Sequence, residues 1–382
     1  MLRESDIEPP RIVLIGAGHA HLHVIRHIGR LAEARVTLVD PGSFWYSGMA
    51  SGVLGGSHDS SEDRIDPKRL ARHHGVNHVR GRLARLDHPQ RLVYLADGRS
   101  LPYDLVSLNL GSIAPTLAPL AEGPRAWAVK PIQQLVALRH CLETAYRRGE
   151  CPALVVVGGG ASGVELACNL RALAEKHAAR TSITLVTRGN TLLDGAPQGA
   201  QHWIAGHLQR LDIQVRCGMR AVSYHRQGVL IAAQPVARDQ ENLELIECQH
   251  VMHASGLAPP PVLEHLGVRL IAGRGVAVGD TLQSVEDQDI FAAGDCAALV
   301  DHPLPRLGVY GVRQAPVLLA NLAARLKGRN LHRYTPQVSA LTILNLGQGN
   351  GLAIRGRLWW AGRLSLLWKR RLDERFMQRY RR

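Results

Sequence analysis

The 382-residue chain carries six cysteines, at 141, 151, 168, 217, 248 and 296, and no two of them form a C-x-x-C pair. That spacing argues against a disulfide scaffold, a structural zinc site and a redox disulfide made by neighbouring cysteines. Lysine is almost missing. It stands at 68, 130, 176, 327 and 369, so arginine supplies 41 of the 46 cationic side chains. We read that skew as genomic base composition. No apolar run approaches the ~18–20 residues of a membrane span. The stretch Met1 to Arg11 is polar and leads into a strand, so no signal peptide is expected.

What is present is globular. Hydrophobic residues make up 46% and charged residues 20%, in a length that suits two or three domains. Glycine is abundant, at 38 residues, which asks where permissive backbone is needed. The net charge of +14 admits nucleic acid, an anionic membrane surface or an anionic ligand, without choosing among them.

Two stretches share one grammar. Residues 11–18 (Arg-Ile-Val-Leu-Ile-Gly-Ala-Gly) and 153–160 (Ala-Leu-Val-Val-Val-Gly-Gly-Gly) are short apolar runs that enter a glycine turn. Such a run reads as a buried parallel strand turning into a helix. Helical segments follow at 19–33 and 161–178, then second apolar runs at 34–39 and 182–186. Each set makes a βαβ unit, so the chain reads as α/β with two Rossmann-like dinucleotide-binding domains.

Further strands are expected at 76–86, 91–96, 104–110, 213–217, 228–233, 249–254 and 289–296, with a helix at 312–327. A Pro-rich link spans 115–131, and Ala258-Pro259-Pro260-Pro261 marks a boundary. One nucleotide domain (1–120 and 270–328) is thus interrupted by another (121–269). A C-terminal segment, 329–382, follows; it is strand-like to 354 and then Trp-rich and basic.

A diphosphate needs unhindered backbone N–H groups at a helix N-terminus. In the first loop Gly16 permits the tight turn and Gly18 the close approach. The third position, normally Gly or Ala, is His21, a departure that must be accommodated. Asp40 ends the following strand, where an acidic residue accepts hydrogen bonds from a ribose. The second loop, Gly158-Gly159-Gly160-Ala161-Ser162-Gly163, satisfies G-x-G-x-x-G in full. Its strand ends Thr187-Arg188, with no carboxylate. Arg188 either pairs with a ribose 2′-phosphate, favouring NADPH, or is simply solvated. His19, His23 and His27 have the i, i+4 spacing of metal ligands. The first turn of that helix should face a diphosphate, so no metal is expected.

The tandem loops, together with Thr281-Leu-Gln-Ser-Val-Glu-Asp-Gln-Asp-Ile290-Phe291-Ala292-Ala293-Gly294-Asp295, resemble the two-domain flavoprotein reductases of the pyridine nucleotide–disulfide oxidoreductase family. Four segments are similar to a narrower subgroup. They are Gly16 to His21, Trp45-Tyr46-Ser47-Gly48-Met49, Val129-Lys130-Pro131 and Tyr310-Gly311-Val312-Arg313-Gln314-Ala315-Pro316. The subgroup is the type II NADH dehydrogenase-like module often fused to selenide, water dikinase, in which histidine at position 21 is usual. The reductase fold is expected to account for all 382 residues, with no kinase expected here.

The resemblance implies FAD in the first domain, NADH or NADPH in the second, and hydride transfer from nicotinamide C4 to flavin N5. Beyond Gly16, Gly18 and Asp40, it implies FAD contacts from His19, Ser47, Gly48, Met49, Leu83, Gly111, Gly294 and Asp295. For NAD(P)H it implies Gly158, Gly160, Gly163, Thr187, Arg188 and Gly256. It also points Glu165 toward the flavin and nicotinamide. A buried carboxylate there wants a cation, and Lys130 is the candidate; the alternatives are a helix-end carboxylate and a surface lysine. Gln314 is placed to hydrogen-bond a quinone carbonyl, or else to brace the flavin end or the helix.

Residues 41–80 contain no cysteine, so chemistry of the glutathione-reductase type is not expected. Cys168 and Cys296 suit inert core positions; a sulfide-oxidising thiol is the alternative.

From 354 to 382 the tail has ten cations and two anions, Asp373 and Glu374. Leu364, Trp368, Leu372, Phe376 and Tyr380 recur at i+4, the pattern of an interfacial helix or of a helix docked on the body. The reading that results is an FAD-dependent NAD(P)H oxidoreductase with a quinone or similar acceptor, cytoplasmic and peripheral on the membrane face. Two alternatives stand beside it, a reductase of a small soluble, selenium or sulfur acceptor and a non-catalytic FAD/NAD(P)H sensor. Nucleic acid is not expected, because no recognition motif accompanies the charge.

Overall fold

The computed structural model describes residues 8–118, 120–234 and 242–381. The polar stretch before residue 8, Pro119 in the proline-rich link and the last tail cation, Arg382, lie outside the described residues.

The strand Arg11–Ile15 is apolar along its length, and Ile12 to Ile15 are buried. A strand buried on both faces belongs at the centre of a parallel sheet. It takes the third place in an all-parallel five-stranded sheet, ordered Ile290–Ala292, Leu105–Leu108, Arg11–Ile15, Arg35–Asp40, Asn77–Arg80. The helices His19–Arg26 and Gly308–Leu326 pack on each other and on this core. The helix expected over 19–33 stops at His27 and continues as a 3₁₀ turn, Ile28–Leu31, which contains the poor helix former Gly29. The strand expected over 289–296 ends at Ala292. Gly294, at φ +72°, turns the chain into a short 3₁₀ segment there.

The second sheet repeats the plan, ordered Arg125–Ala128, His250–His253, Leu154–Val157, Ile183–Val186, Ile213–Arg216, again all parallel with the glycine-turn strand third. Its edge strand, Arg125–Ala128, lies inside the stretch that proline content marks as a link. Leu263, Leu266 and Val268, beyond the proline boundary, pack in the first core.

The tail spans both domains. An antiparallel sheet of Thr342–Asn345, Gly351–Arg355 and Leu358–Gly362 leads into the terminal helix Arg363–Arg381. Leu344, Leu346 and Leu352 join the second core, along with Ala50 and Leu54 of the first nucleotide domain. Phe376, Met377 and Tyr380 join the first core. The i+4 row therefore divides. Phe376 and Tyr380 are buried, whereas Leu364, Leu367, Trp368 and Leu372 remain exposed. Leu364 is 77% accessible. No described helix is long and apolar enough to cross a membrane.

One buried group works against the fold. Asp63 is inaccessible to solvent, and neither carboxylate oxygen accepts a hydrogen bond from another described residue. Burial pushes its pKa up to about 7, although Arg64 and Arg381 oppose the shift. In the unfolded chain an aspartate titrates near 4. The folded state therefore holds the proton more tightly, and stability falls as pH rises from about 4 through about 7. We expect Asp63→Asn to gain melting temperature over wild type progressively across that interval, with no gain at pH 4. A gain that does not grow with pH in thermal melts overturns this assignment.

Candidate functional site

The first glycine turn opens on a cleft of about 660 Å³. Its backbone cannot carry side chains. A Cβ on Gly16 would meet the Asn109 carbonyl oxygen at 2.6 Å, and one on Gly18 would meet Asn109 Oδ1 at 2.2 Å. Gly16 also sits at φ +88°. Asn109 is the brace behind the turn. Its Oδ1 accepts from the N–H groups of Ala20 and His21, and its Nδ2 donates to the Ala293 carbonyl at 2.6 Å.

His21 is buried where a third glycine is expected. Its Nδ1 lies 2.6 Å from the Gly16 carbonyl oxygen and its Nε2 lies 2.8 Å from Ser107 Oγ. The imidazole thus bridges the turn to the neighbouring strand, and burial lowers its pKa to about 4, keeping it neutral. The second loop uses the other solution. A Cβ on Gly163 would fall 1.7 Å from the Gly158 carbonyl oxygen, so only glycine fits.

The first cleft gathers Gly16, Gly18, His19, Asp40, Ser47, Leu83, Gly111, Gly294 and Asp295. Asp40 is buried, with Oδ1 accepting from the Gly42 N–H and Oδ2 2.6 Å from His78 Nε2. Burial raises its pKa, and His78 opposes that. His19 projects among Phe44, Tyr46 and Phe376, the last contributed by the terminal helix. Gly48 and Met49 stand beside the cleft rather than in its lining; Met49 is buried and the Gly48 carbonyl faces the terminal helix.

Lys130 does not meet Glu165, which corrects the pairing expected from sequence. Its Nζ donates to Asp295 Oδ2 at 2.7 Å and to Ser112 Oγ at 2.8 Å, while Ser112 Oγ donates to the same carboxylate oxygen at 2.6 Å. Burial opposes ionisation of Asp295, but Lys130 and Ser112 outweigh it and hold the carboxyl below the usual range. Lys130 and Asp295 form one polar corner of the cleft. Gln314 braces that corner from beneath, Oε1 accepting from the Gly294 N–H at 2.7 Å.

The second cleft, of about 910 Å³, collects Gly158, Gly160, Thr187, Arg188 and Gly256, joined by Arg220. Gly163 lies behind it, in the first turn of the helix Ala161–Lys176.

Glu165, on that same helix, reaches across the seam between the domains. Its Oε1 accepts from the Asn345 N–H at 2.6 Å and from Ser51 Oγ at 3.2 Å. Burial raises its pKa, and Lys369 of the terminal helix is the strongest opposing charge. Lys369 is buried too. Its Nζ donates to the Gly48 carbonyl and to Asp373 Oδ2 at 2.9 Å, and Tyr46 Oη donates to Asp373 Oδ1 at 3.0 Å. Lys369, Asp373 and Tyr46 are the site-forming residues that sequence reasoning missed. The available signal was a lone lysine in an otherwise arginine tail, four residues before an aspartate.

Cys168 and Cys296 are fully buried, and burial raises both thiols, Cys296 to about 11. Neither is a thiolate at neutral pH. All six cysteines are free.

Two parallel-sheet nucleotide folds, each with a glycine turn opening on its own cleft and joined at a buried seam, define an oxidoreductase that uses two dinucleotides. Residues 10–317 match the pyridine nucleotide-disulphide oxidoreductase family, and the chain belongs to it. It is an FAD- and NAD(P)H-dependent oxidoreductase without the redox cysteine pair of the disulfide reductases. It is 24% identical to a type II NADH:quinone oxidoreductase of Haemophilus influenzae, over 76% of this chain and 74% of that protein. It is 22% identical to the NADH dehydrogenase-like protein YutJ of Bacillus subtilis, over 90% and 92%. In structure it resembles the sulfide:quinone oxidoreductase of Aquifex aeolicus, with a TM-score of 0.81, 17% identity, and 97% of this chain and 91% of that one covered. NDH2 of Plasmodium falciparum in complex with NADH gives 0.80, 14%, and 98% of each chain.

The buried ammonium of Lys369 should be costly to remove. Lys369→Met leaves Asp373 unpaired, and we expect a loss of about 3–5 kcal/mol in chemical denaturation. Adding Asp373→Asn should recover most of it. Equal stabilities for the single variant and wild type refute the network.

Proposed function

We propose that this chain oxidises NAD(P)H and delivers the electrons to a quinone at a membrane surface. The observation that carries the reading is the seam. There the Glu165 carboxyl, its pKa raised by burial, and a buried ammonium, Lys369, are brought beside the 46–49 loop of the FAD domain, while Cys168, close enough to feel the Glu165 charge, is buried with its thiol pushed up. FAD, when bound, would supply the two-electron step between nicotinamide and acceptor.

The residues present suit that group. The side-chain-free turn at Gly16 and Gly18 admits a diphosphate, Asp40 faces the ribose end, and the Lys130–Ser112–Asp295 corner supplies polar contacts at the cleft wall. Gly158 and Gly160 would hold the pyridine nucleotide diphosphate, and Thr187 and Arg188 its adenosine ribose.

Quinone reduction takes up protons as well as electrons. Glu165 can serve it, because burial favours its protonated form and Oε1 alone is engaged by the Asn345 N–H and Ser51 Oγ. Among the described residues none bonds Oε2, which is the oxygen that would carry the proton. Lys369 fixes the Gly48 carbonyl, and with it the loop against which a flat acceptor would lie. On this reading the exposed Leu364, Leu367, Trp368 and Leu372 set the terminal helix against the bilayer surface, from which a lipid-soluble quinone arrives. The protein is then cytoplasmic and peripheral.

The test is anaerobic. NADH or NADPH should bleach the flavin absorbance of the purified protein, and a short-chain quinone should restore it. No bleaching by either nucleotide refutes the oxidase half, and no restoration refutes the acceptor. Glu165→Gln should bleach normally yet be reoxidised about a hundredfold more slowly by quinone. If reoxidation is unchanged, Glu165 is not the proton donor.

Arg188 is exposed at the rim of the second cleft and takes part in no described ion pair. We expect Arg188→Ala to raise the KM for NADPH about tenfold, as loss of one charge-assisted bond implies, with the KM for NADH within about twofold. Equal effects on both nucleotides argue that Arg188 does not read the 2′-phosphate.

A further inference from the structure

A third cleft lies outside both nucleotide sites and takes no part in the chemistry described above. Its volume is about 700 Å³, and it sits between the helix Pro67–His73 and the end of the terminal helix. Arg64, Arg69, Arg72, His73, Tyr380 and Arg381 line it. Four guanidinium groups in one concavity repel one another and are normally neutralised by carboxylates. Here none of the four forms an ion pair with a described carboxylate.

The single acidic residue in the lining is Asp66. Its Oδ1 is already occupied by the N–H groups of Lys68 and Arg69 as the cap of the short helix. Two of the four cations are held in place by other means. Arg64 lies over the Trp45 ring at 5.3 Å, and Arg381 donates to the carbonyls of Ser61 and Glu62. Arg26 pins the helix end from outside, donating to the Arg379 carbonyl at 2.9 Å. An arginine cluster with no described carboxylate in salt-bridge contact, and only the buried Asp63 acting on two of its members from a distance, has the chemistry of a phosphate site.

The terminal helix indicates where the phosphate comes from. Its exposed large apolar side chains, Leu364, Leu367, Trp368 and Leu372, all lie in the first half, interspersed with Arg363, Arg370 and Arg371, whereas beyond Leu372 the exposed cations are Arg375, Arg379 and Arg381. At ~1.5 Å per residue, the cleft begins on the order of 12 Å beyond Leu372. An apolar half at the acyl boundary therefore places the arginine half, and the cleft after it, at the level of lipid phosphates.

We propose that this cleft binds the phosphodiester headgroup of an anionic lipid. The proposal rests on the membrane-surface part of the function given above, so the experiment separates the two. Co-sedimentation of the FAD-loaded full chain is measured with phosphatidylcholine vesicles, with and without phosphatidylglycerol.

Wild type should bind both, and the anionic vesicles more tightly. Arg69→Gln/Arg72→Gln should lose about tenfold in affinity for the anionic vesicles and nothing for the neutral ones. Arg148→Gln/Arg180→Gln, which removes the same charge from two exposed positions outside the cleft lining, should stay within about twofold of wild type. Leu367→Ser/Trp368→Ser should weaken binding to both vesicles.

If the Arg69/Arg72 variant keeps wild-type affinity for anionic vesicles, or the remote variant loses as much, the headgroup site is refuted and membrane association stands. If wild type binds neither vesicle, the membrane reading fails and the lipid assignment with it. Inorganic phosphate, titrated against Trp45 fluorescence, separates the sources. Tight binding of phosphate that displaces no protein from anionic vesicles overturns the lipid as occupant.

Discussion

A buried ammonium group holds the three parts of this chain in register. Lys369 belongs to the terminal helix, accepts its neutralising charge from Asp373 one turn away, and donates to the carbonyl of Gly48 in the FAD domain. Asp373 in turn receives the Tyr46 hydroxyl, and the charge of Lys369 is felt by Glu165 of the nucleotide domain. An ion taken out of water must find all its partners, and each partner here comes from a different segment. The helix can therefore dock in only one rotation about its axis. That rotation buries Phe376, Met377 and Tyr380 and turns Leu364, Trp368 and Leu372 outward. The helix is docked by one face and leaves an apolar face exposed, which only the proposed reading sets against a membrane.

The two glycine loops show how the same requirement is met twice with different chemistry. Both need a tight turn and a backbone bare enough for a diphosphate. In the second loop the helix comes so close to the strand that Gly163 has no room for a Cβ. In the first, His21 stands at the corresponding position and converts steric closeness into two hydrogen bonds, to the Gly16 carbonyl and to Ser107. The imidazole remains neutral in that setting, so no charge is buried behind the phosphates. The departure from the glycine pattern is thus an alternative tie between helix and sheet, with Ser107 as its necessary partner.

Much of this was legible in the sequence, and the limits have a physical cause. Strands such as Arg11–Ile15 and Leu154–Val157 are buried on both faces, so their composition alone marks them, and the glycines that follow mark the turns. The family resemblance then named many of the residues that line both clefts, although Gly48, Met49 and Gly163 lie outside the linings. Legibility ended where a contact depends on segments distant in sequence. Lys130 was matched to Glu165 because both were expected near the flavin, yet Asp295 lies nearer and captures it. Lys369 carries the seam from 204 positions after Glu165, and periodicity says nothing about such a pairing. The edge strand Arg125–Ala128 was hidden by neighbouring prolines, which an edge tolerates.

The missing thiol acquires its meaning at this seam. A disulfide reductase takes electrons out of its flavin through a cysteine pair supplied by the FAD domain itself. Here residues 41–80 offer no cysteine, and the same stretch offers Tyr46, Gly48 and Ser51 instead, each hydrogen-bonded to a side chain from another part of the chain. The wall that would face an acceptor is thus composite, built from the FAD domain, the nucleotide helix and the terminal helix together. On the proposed reading, the acceptor side exists only when the terminal helix is docked. The exposed side of that helix is where a lipid-soluble acceptor would approach. Binding at the surface and completion of the acceptor site would then depend on the same nineteen-residue element.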